Sequence, residues 1–430
     1  MNENKRYETQ VINDEILEKL SLENRYKLIN DNLRTVLNDA QFAFLKQAQD
    51  FCVNYERENN ITHGPNEDVY DWYPDFGKEG YITRQHSFEC IDLNYEEYGM
   101  VIDFMRMLAI DSFDPQFAMG TGATDICVNP INAHHDNVSI RLKALKELVT
   151  GKETGCLLIT EPERGSDAVH QLTLCEEQED GSFILNGEKI FNTNAPKAKW
   201  AVAYATAEKG NGNVMGQFLI NTSWEGWSCQ RIGIPWVPKL YIGREVLQNL
   251  RIPKEYVLGG VGKGREHLFE GLIPERIAIA VRCISECWGA LSHAIIYANM
   301  RRQFDKEILL FQGVGFSLAD LWAKTTALSV SVLKFAEIYD EKFEKYEGNL
   351  PDHISRSMVP LASQYKYNCA NLSKKVCYEA ANLMGGAGVC DNTLMYDYMN
   401  ISRILEVIGG TKHIQQLIMS RGLRNMFKNL

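Results

Sequence analysis

One acidic side chain in the sequence lies in an apolar setting that suits acid–base chemistry. Glu275 and its neighbour Arg276 follow Pro274 and precede an apolar run at positions 277–281. A carboxylate beside such residues loses part of its hydration, which raises its pKa toward that of a useful general base. A lone Glu in an amphipathic helix is more often a solvated surface residue, so the pattern alone leaves both interpretations open.

A turn with small and hydroxyl side chains follows a predicted strand. Residues 157–167 read LLITEPERGSD, so Thr160 offers a hydroxyl group, and Gly165 with Ser166 lets the backbone approach a ligand closely. A plain β-turn without any ligand is the simpler interpretation of this segment.

Three further segments carry residues that suit a phosphate-bearing ligand. They read RRQFDKEILLFQ at 301–312, NLMGGAG at 382–388 and GGTKHIQ at 409–415. The forked guanidinium of Arg301 matches phosphate oxygens, although the helix dipole also favours an Arg at the end of a helix. The glycines of the second segment equally suit a helix C-cap. No GxGxxG follows a predicted parallel strand, so a nucleotide site of the Rossmann type is not expected.

Together with NGEKIFNTNAPKAKW at 186–200 and LRIPKEYVLGGVGKG at 250–264, these segments resemble the flavin-dependent acyl-CoA dehydrogenase family in order and spacing. The resemblance covers about residue 140 to the C-terminus and, more loosely, the N-terminal region. It implies FAD-dependent α,β-dehydrogenation of an acyl thioester, in which a base removes the α proton and flavin N5 takes the β hydride. It also implies an electron-transfer flavoprotein as electron acceptor, and a homotetramer or homodimer with FAD at subunit interfaces.

The resemblance also implies which residues bind the cofactor and the substrate. Those at the isoalloxazine ring would be Leu158, Ile159, Thr160, Gly165, Ser166, Phe191 and Thr193. Those at the pyrophosphate and adenosine would be Arg301, Gln303, Phe304, Gln312, Asn382, Gly385, Gly386, Thr411 and His413, with the stretch 301–312 reaching the FAD of a neighbouring subunit. The substrate would contact Ser166, Arg276 and Gly409, and no metal is implied.

The position of the catalytic base separates two groups within this family. Many members carry the base where this chain has Gly409, whose N–H can still donate to the thioester carbonyl. A subgroup that includes isovaleryl-CoA dehydrogenase places the base on the first long helix of the C-terminal region, in a Glu-Arg pair. Counting the 28 positions from Arg276 to Phe304 without gaps puts Glu275 at that place. The resemblance therefore implies Glu275 as the base, while Pro274 predicts a helix start or a kink beside it.

Two departures from the family pattern leave the substrate open. Ile273 replaces an acidic residue near the pantetheine arm, and Asn400-Ile401 stands where Arg-Asp is usual, so a carrier-protein thioester is an alternative to acyl-CoA. A flavin monooxygenase or oxidase on the same fold, and a catalytically silent scaffold, are further alternatives. Glu275 argues against the first of these, and the retained flavin segments argue against the second. Candidates to line the acyl pocket are Trp72, Tyr73, His134 and His135.

The elements that must position these residues fall into three regions. Helices are predicted over 13–37, 38–54, 100–108, 140–150, 266–300, 316–345, 354–384 and 413–426, whereas 60–80 is predicted to be an ordered loop. Strands are predicted at 156–160, 169–175, 183–185, 189–193, 200–205, 217–220 and 227–232. The pattern predicts an α+β protein with an N-terminal helical domain (1–150), a middle antiparallel β domain (151–260) and a C-terminal four-helix bundle (261–430).

Composition narrows the class of protein further. The 430 residues include 45 Lys and Arg against 56 Asp and Glu, a formal charge of −11 without a basic stripe, which argues against nucleic acid as a partner. Every apolar run ends well before about 18 residues, so no membrane span is expected. The first ten residues carry no apolar run, which predicts no secretory signal. Eleven cysteines without a CxxC pair indicate free thiols and a cytoplasmic enzyme.

Overall fold

The computed structural model describes residues 14–88, 97–348, 350–390 and 393–426. Three sequence-based predictions extend outside these ranges. They are the start of the first helix at Asn13, the N-terminal ten residues without a secretory signal, and the part of the 60–135 region at 89–96.

The described part of the chain before residue 150 is helical, as predicted. Its α-helices are α1 (Asp14–Lys19), α2 (Leu22–Leu33), α3 (Asp39–Glu58), α4 (Tyr73–Lys78), α5 (Met100–Phe113), α6 (Pro115–His134) and α7 (Val138–Val149). The single helix predicted over 13–37 is wrong, because the extended backbone of Ser21 separates α1 from α2. Helix α3 begins at a capping box between Asn38 and Gln41. Helix α6 was not predicted, since its glycines and Pro130 lower helix propensity, and burial of most of its residues stabilises it instead.

The middle of the chain forms a seven-stranded sheet. Its strands are β1 (Thr154–Leu158), β2 (Leu174–Glu177), β3 (Phe183–Thr193), β4 (Ala198–Thr206), β5 (Met215–Asn221), β6 (Trp227–Ile232) and β7 (Ile242–Ile252). The order is β1-β4-β2-β3-β7-β6, with β5 also paired to β4. The predicted antiparallel arrangement is wrong at β4, which runs parallel to β1 and to β2. The reason is that the antiparallel β2–β3 hairpin lies between β1 and β4 in the sequence. After this hairpin, β4 runs in the same direction as β1 and β2.

Three strands also differ from the prediction, the first being β2, which includes only the last two residues of the run predicted at 169–175. The runs predicted at 183–185 and 189–193 are one continuous strand, β3, with register shifts between Leu185 and Gly187 and between Ile190 and Asn192. Strand β7 was not predicted, although its residues alternate between buried and exposed along most of its length. Its exposed Arg, Gln and Asn side chains, together with the buried Glu245, interrupt the apolar run that the strand prediction relied on.

The C-terminal part of the chain is a helical bundle with a small hairpin. Its elements are α8 (Gly264–Met300), the hairpin of β8 (Arg302–Gln303) and β9 (Lys306–Glu307), α9 (Gln312–Lys345), α10 (Asp352–Met384), α11 (Met395–Val407) and α12 (Lys412–Met426). The four predicted helices are confirmed, and α11 is an addition to them. Helix α8 continues through Pro274, so this proline neither starts nor ends the helix.

Helix α8 is the central element of the molecule. It packs against α5, α9, α10 and α11, and one apolar core joins Ile277 and Ile284 of α8 to Phe104 and Leu108 of α5. By length and composition α8 could cross a membrane, with a mean hydropathy of 1.2 over its most apolar 18 residues, but 89% of that stretch is buried inside the molecule. An all-round apolar helix in this setting is a core helix. Glu275 directly precedes the stretch of α8 in which almost every residue is buried.

Candidate active site

The carboxylate of Glu275 lies at the boundary between the protein core and solvent. It is half-buried on α8, between the buried side chains of Ile273 and Ile277. Loss of hydration raises the pKa of Glu275, while the positive charges of Arg276 and Lys366 oppose that rise. The predicted perturbation of this carboxyl group is therefore present, and its physical cause is the one expected from the sequence.

Gly409, 134 positions further along the chain, lies directly beside Glu275. A Cβ atom built on Gly409 would be 3.4 Å from Oε1 of Glu275 and 2.3 Å from Cδ1 of Ile279. The backbone of Gly409 has a φ of +61°, in the left-handed region that favours glycine. The backbone conformation and the Ile279 side chain thus both disfavour a side chain at 409, and the Glu275 carboxylate lies beside this position.

The turn formed by Gly409 and Gly410 is held by two buried side chains that the sequence interpretation missed. Gln415 Nε2 donates to both glycine carbonyls, at 3.0 and 2.9 Å, and Lys366 Nζ donates to Gly410 O at 2.7 Å. The Gly409 N–H donates to no group in the part of the chain that the structure describes. No sequence signal marks Lys366 or Gln415, because each stands at an ordinary position of a long helix.

Arg276 is a buried cation next to the candidate base. Its side chain is 2% exposed, and its Nε and Nη1 atoms have no hydrogen-bond partner among the described residues. Burial lowers the pKa of Arg276, against the stabilising charge of Glu275. Unpaired buried donors of this kind are costly, which supports the expectation that Arg276 contacts a polar ligand group.

The residues predicted to flank the isoalloxazine ring come together from two strands. Thr160 O accepts a hydrogen bond from Ile190 N at 2.9 Å, which places the turn after β1 against the register shift in β3. There Phe191 has a φ of +64° and is 60% exposed, so its ring stands out from the sheet. Thr193 lies two residues further along β3 and is half-buried. Leu158 differs, because its side chain is fully buried in the core of the sheet.

A buried ion pair, also missed from the sequence, fixes this arrangement. Lys189 Nζ donates to Glu161 Oε1 at 3.0 Å and to Ile159 O at 3.3 Å, and both charged side chains are buried. Glu161 also accepts the N–H groups of Leu172 and Thr173 at 2.7 and 2.8 Å. The turn that follows is open: Gly165 and Ser166 are exposed, and a Cβ atom on Gly165 would meet nothing within 4 Å.

The residues predicted to bind the pyrophosphate and adenosine lie far from Glu275 within one chain. Arg301 follows the C-terminal end of α8, 26 residues from Glu275, or roughly 40 Å along the helix. Arg301, Gln303, Phe304 and Gln312 are exposed on and beside the β8–β9 hairpin. Arg301 makes no ion pair within the described ranges. The structure of one chain therefore does not bring this group together with the catalytic candidate.

The remaining predicted cofactor residues lie at helix ends. Asn382, Gly385 and Gly386 are exposed at the C-terminal end of α10, where Gly385 has a φ of +60°. Thr411 and His413 stand at the start of α12, directly after the Gly409–Gly410 turn. Thr411 and His413 are thus close in sequence to the substrate candidate Gly409. The residues at the end of α10 are not.

The four candidates for the acyl pocket do not lie together on an open surface. Trp72 and Tyr73 are buried against Phe113 and Phe117 in an aromatic cluster, so they belong to the core of the N-terminal helices. The predicted loop at 60–80 includes helix α4 and folds onto α5 and α6, because its aromatic side chains bury apolar area there. His134 stacks on His267 at 3.7 Å, and His135 is buried near Tyr256.

Comparisons with known proteins identify a family whose sequence models match two parts of the chain. The sequence model of the acyl-CoA dehydrogenase C-terminal domain matches residues 262–424, and that of the acyl-CoA dehydrogenase middle domain matches residues 156–236. The two matches together cover more than half of the chain. Between them they include the segments from which the resemblance was inferred, apart from residues 250–261.

Individual relatives extend the match to most of the chain. The short-chain specific acyl-CoA dehydrogenase of Megasphaera elsdenii is 28% identical over 393 residues, which are 89% of this chain and 97% of that protein. The CarC subunit of the caffeyl-CoA reductase-Etf complex of Acetobacterium woodii is 29% identical over 283 residues, 65% of this chain and 70% of that subunit. The solved structure of butyryl-CoA dehydrogenase from Megasphaera elsdenii superposes with a TM-score of 0.79 at 25% identity, covering 90% of this chain and 98% of that one.

Proposed function

The chain belongs to the acyl-CoA dehydrogenase family, and from this premise we propose that Glu275 is the base with which it removes the α proton of an acyl-CoA thioester. The protein is an FAD-dependent oxidoreductase that acts on the CH–CH bond of its substrate. The observation that carries the assignment is that the Glu275 carboxylate lies next to Gly409. A side chain at 409 is disfavoured, and a carboxylate with a raised pKa lies beside this position.

Two neighbouring groups would stabilise the charge that develops as the proton leaves. The Gly409 N–H has no partner in the described chain and is available to the thioester carbonyl, where enolate-like charge accumulates. Arg276, the residue that follows Glu275 on α8, is buried and carries donors without a hydrogen-bond partner among the described residues. A donor fixed in the protein costs no reorganisation during the reaction, which favours the transition state over the bound substrate.

The chain offers surfaces that fit FAD. Phe191 presents an exposed ring beside the open Gly165–Ser166 turn, and the exposed Arg301 has a fork suited to phosphate. The residues that would hold the cofactor are Ile159, Thr160, Gly165, Ser166, Phe191, Thr193, Arg301, Gln303, Phe304, Gln312, Asn382, Gly385, Gly386, Thr411 and His413, with Leu158 contributing backbone. When bound, FAD accepts the hydride from the β carbon.

Partners and location remain proposals of the same kind. An electron-transfer flavoprotein as electron acceptor is supported by a relative that is named as a subunit of a reductase-Etf complex. A homotetramer or homodimer is supported by the exposed hairpin residues, which one chain leaves far from Glu275. A cytoplasmic location is supported by the ten free cysteines of the described residues.

The test is anaerobic reduction of the protein-bound flavin by acyl-CoA thioesters of different chain length, branching and ring content. Glu275→Gln should keep FAD bound and lower the rate of flavin bleaching by about 10²- to 10⁴-fold, the usual contribution of a general base. Glu266→Gln, an exposed carboxylate on the same helix, is the matched control and should bleach at the wild-type rate. Normal bleaching of Glu275→Gln would refute the assignment, and a requirement for oxygen and a separate flavin reductase would favour a monooxygenase.

A further inference from the structure

A buried lysine joins two helices to the glycine turn beside the candidate base. Lys366 of α10 is 1% exposed, and its Nζ donates to Gly410 O at 2.7 Å and to Glu406 O at 2.9 Å. Glu406 lies in the last turn of α11, where carbonyls lack intrahelical partners and the helix dipole favours a cation. The Lys366 ammonium group therefore ties the end of α11 to the turn that follows it.

The hydrogen bonds of this turn occupy its carbonyl oxygens and leave the N–H groups of Gly409 and Gly410 without an acceptor among the described residues. Gly410 O accepts from both Lys366 and Gln415, and Gly409 O accepts from Gln415 as well. With these two carbonyls fixed, the dihedral angles on either side of Gly410 are restricted, and so is the orientation of the Gly409 residue. The Gly409 N–H belongs to the peptide directly before this bonded segment and has no acceptor among the described residues.

The same ammonium group acts on the candidate base through its charge. Lys366 lowers the pKa of Glu275 against the larger effect of lost hydration, and Glu275 in turn favours the charged form of Lys366. A base must be ionised before it can accept a proton. A positive charge that does not itself bond to the carboxylate assists ionisation without blocking the oxygen atoms.

We propose that Lys366 is a positioning residue for α-proton removal: by holding the Gly409–Gly410 turn, it directs the Gly409 N–H toward the thioester carbonyl. This inference rests on the proposed roles of Glu275 and Gly409. Lys366 contacts backbone and not substrate, so its loss acts on the rate of proton removal more than on the affinity for the thioester.

The groups that face Lys366 predict a particular pH profile. Burial lowers the pKa of Lys366 to about 8, and the pKa of Glu275 is raised from the usual carboxyl range. From α8, Arg276 stays charged, and burial raises the pKa of Cys283 to about 12. The other titratable side chains around the site are Tyr367, Glu406 and Lys412, and Glu406 is itself paired with Lys374 and Arg403. Flavin reduction should therefore have an acidic limb from Glu275 and an alkaline limb near pH 8 from Lys366.

The experiment replaces Lys366 and measures single-turnover flavin reduction across pH and substrate concentration. In Lys366→Met both donors and the charge are lost, and we expect the limiting rate to fall by about 10- to 100-fold, since small misplacements of oriented groups cost about this much. The half-saturating substrate concentration should change little, and the alkaline limb should disappear. Lys375→Met, an exposed lysine on the same helix, is the matched control and should match wild type.

Lys366→Arg separates positioning from a purely structural role. Arg keeps a positive charge and can donate to the same carbonyls, so it should recover most of the rate and move the alkaline limb beyond pH 10. A Lys366→Met enzyme that reduces at the wild-type rate overturns the proposal. So does one whose loss of rate only follows its loss of FAD or of folded protein, measured by flavin absorbance and thermal melting. If Lys366→Met does not fold, an unshifted alkaline limb in Lys366→Arg overturns it instead.

The results for the Lys366 variants can be distinguished from the result for Glu275→Gln, which tests the base. If Glu275→Gln reduces normally, the proposed function of Glu275 fails, whatever Lys366 does. If Glu275→Gln is inactive and Lys366→Met is normal, the base assignment stands and the positioning role alone is refuted.

Discussion

At the scale of single residues, the site combines a carboxylate that has lost part of its hydration with a glycine turn that disfavours a side chain. Glu275 sits among apolar neighbours on α8, a setting that could be read from the sequence around it. Its contact with Gly409 could not, because that contact depends on how α8 and the α11–α12 turn pack. The roles of Lys366 and Gln415 could not be predicted for the same reason. They depend on hydrogen bonds to backbone carbonyls that are distant in sequence from Lys366, and not on neighbouring residues in the sequence.

The raised pKa of Glu275 predicts that this residue destabilises the fold at neutral pH. Because its folded pKa lies above the unfolded value of 4.5, the folded state binds more protons than the unfolded state over the interval between the two values. The stability contributed by Glu275 is then complete below that unfolded value and is lost as pH rises through the folded pKa. Glu275→Gln should thus melt at a higher temperature than wild type at pH 7, and the difference should vanish near pH 4.

The control for this experiment is Glu266→Gln, whose parent carboxylate is exposed and paired with Lys263. It should show no such gain in melting temperature at pH 7. Equal melting temperatures for Glu275→Gln and wild type at both pH values would contradict the burial of this carboxylate.

Gly409 predicts a large effect from a small substitution. Gly409→Ala places a methyl group 2.3 Å from Ile279 Cδ1 on a residue with positive φ, and should cost about 2 to 4 kcal/mol of unfolding free energy. Adding Ile279→Ala relieves the contact but not the backbone strain, so it should recover only part of this loss. Gly313→Ala, in helix α9 with open space around it, is the control and should not destabilise. Denaturant titration distinguishes these outcomes.

At the scale of elements, the long helices and short strands were predictable where their periodicity is strong. Helices α8, α9, α10 and α12 were found with boundaries within a few residues, because their apolar faces are long and regular. Helices α6 and α11 and strand β7 were missed because packing, not local propensity, stabilises them. The parallel pairing of β4 with β1 and β2 could not be predicted from the local sequence pattern either. The direction of a strand depends on the path of the chain between the paired strands.

The Lys189–Glu161 pair predicts that the flavin-side turn depends on a buried charge. Lys189→Met would leave Glu161 buried without its partner, which typically costs about 3 to 5 kcal/mol. Because the pair ties the turn after β1 to β3, the variant should also retain less FAD, measured by flavin absorbance per folded chain. Replacing both residues, as Lys189→Met with Glu161→Gln, should recover part of the stability. Arg251→Ala, which removes an exposed pair with Asp180, is the control and should leave the unfolding midpoint unchanged.

At the scale of the whole molecule, the order of helices, sheet and helical bundle follows from the sequence, and membership of the family confirms it. The domain limits at 150 and 260 stay a prediction. What one chain cannot supply is a single surface for all the predicted cofactor residues. Glu275 lies 11 residues into α8, whereas the predicted cofactor residues on the β8–β9 hairpin follow the C-terminal end of α8, roughly 40 Å away by the rise of the helix.

This separation predicts that FAD binding and assembly fail together. The hairpin exposes Phe304 to 88%, and Leu310 and Phe316 beside it are exposed to 61% and 69%, an apolar cluster that suits a subunit contact. Phe304→Asp should therefore shift the mass in solution from two or four chains of 49.0 kDa toward one, and FAD should be lost with it. Val138→Asp, at an exposed apolar position on α7, should change neither quantity. Light scattering measures the mass in solution, and flavin absorbance measures the FAD content. A Phe304→Asp monomer that keeps its full FAD content would show that each chain binds its cofactor alone.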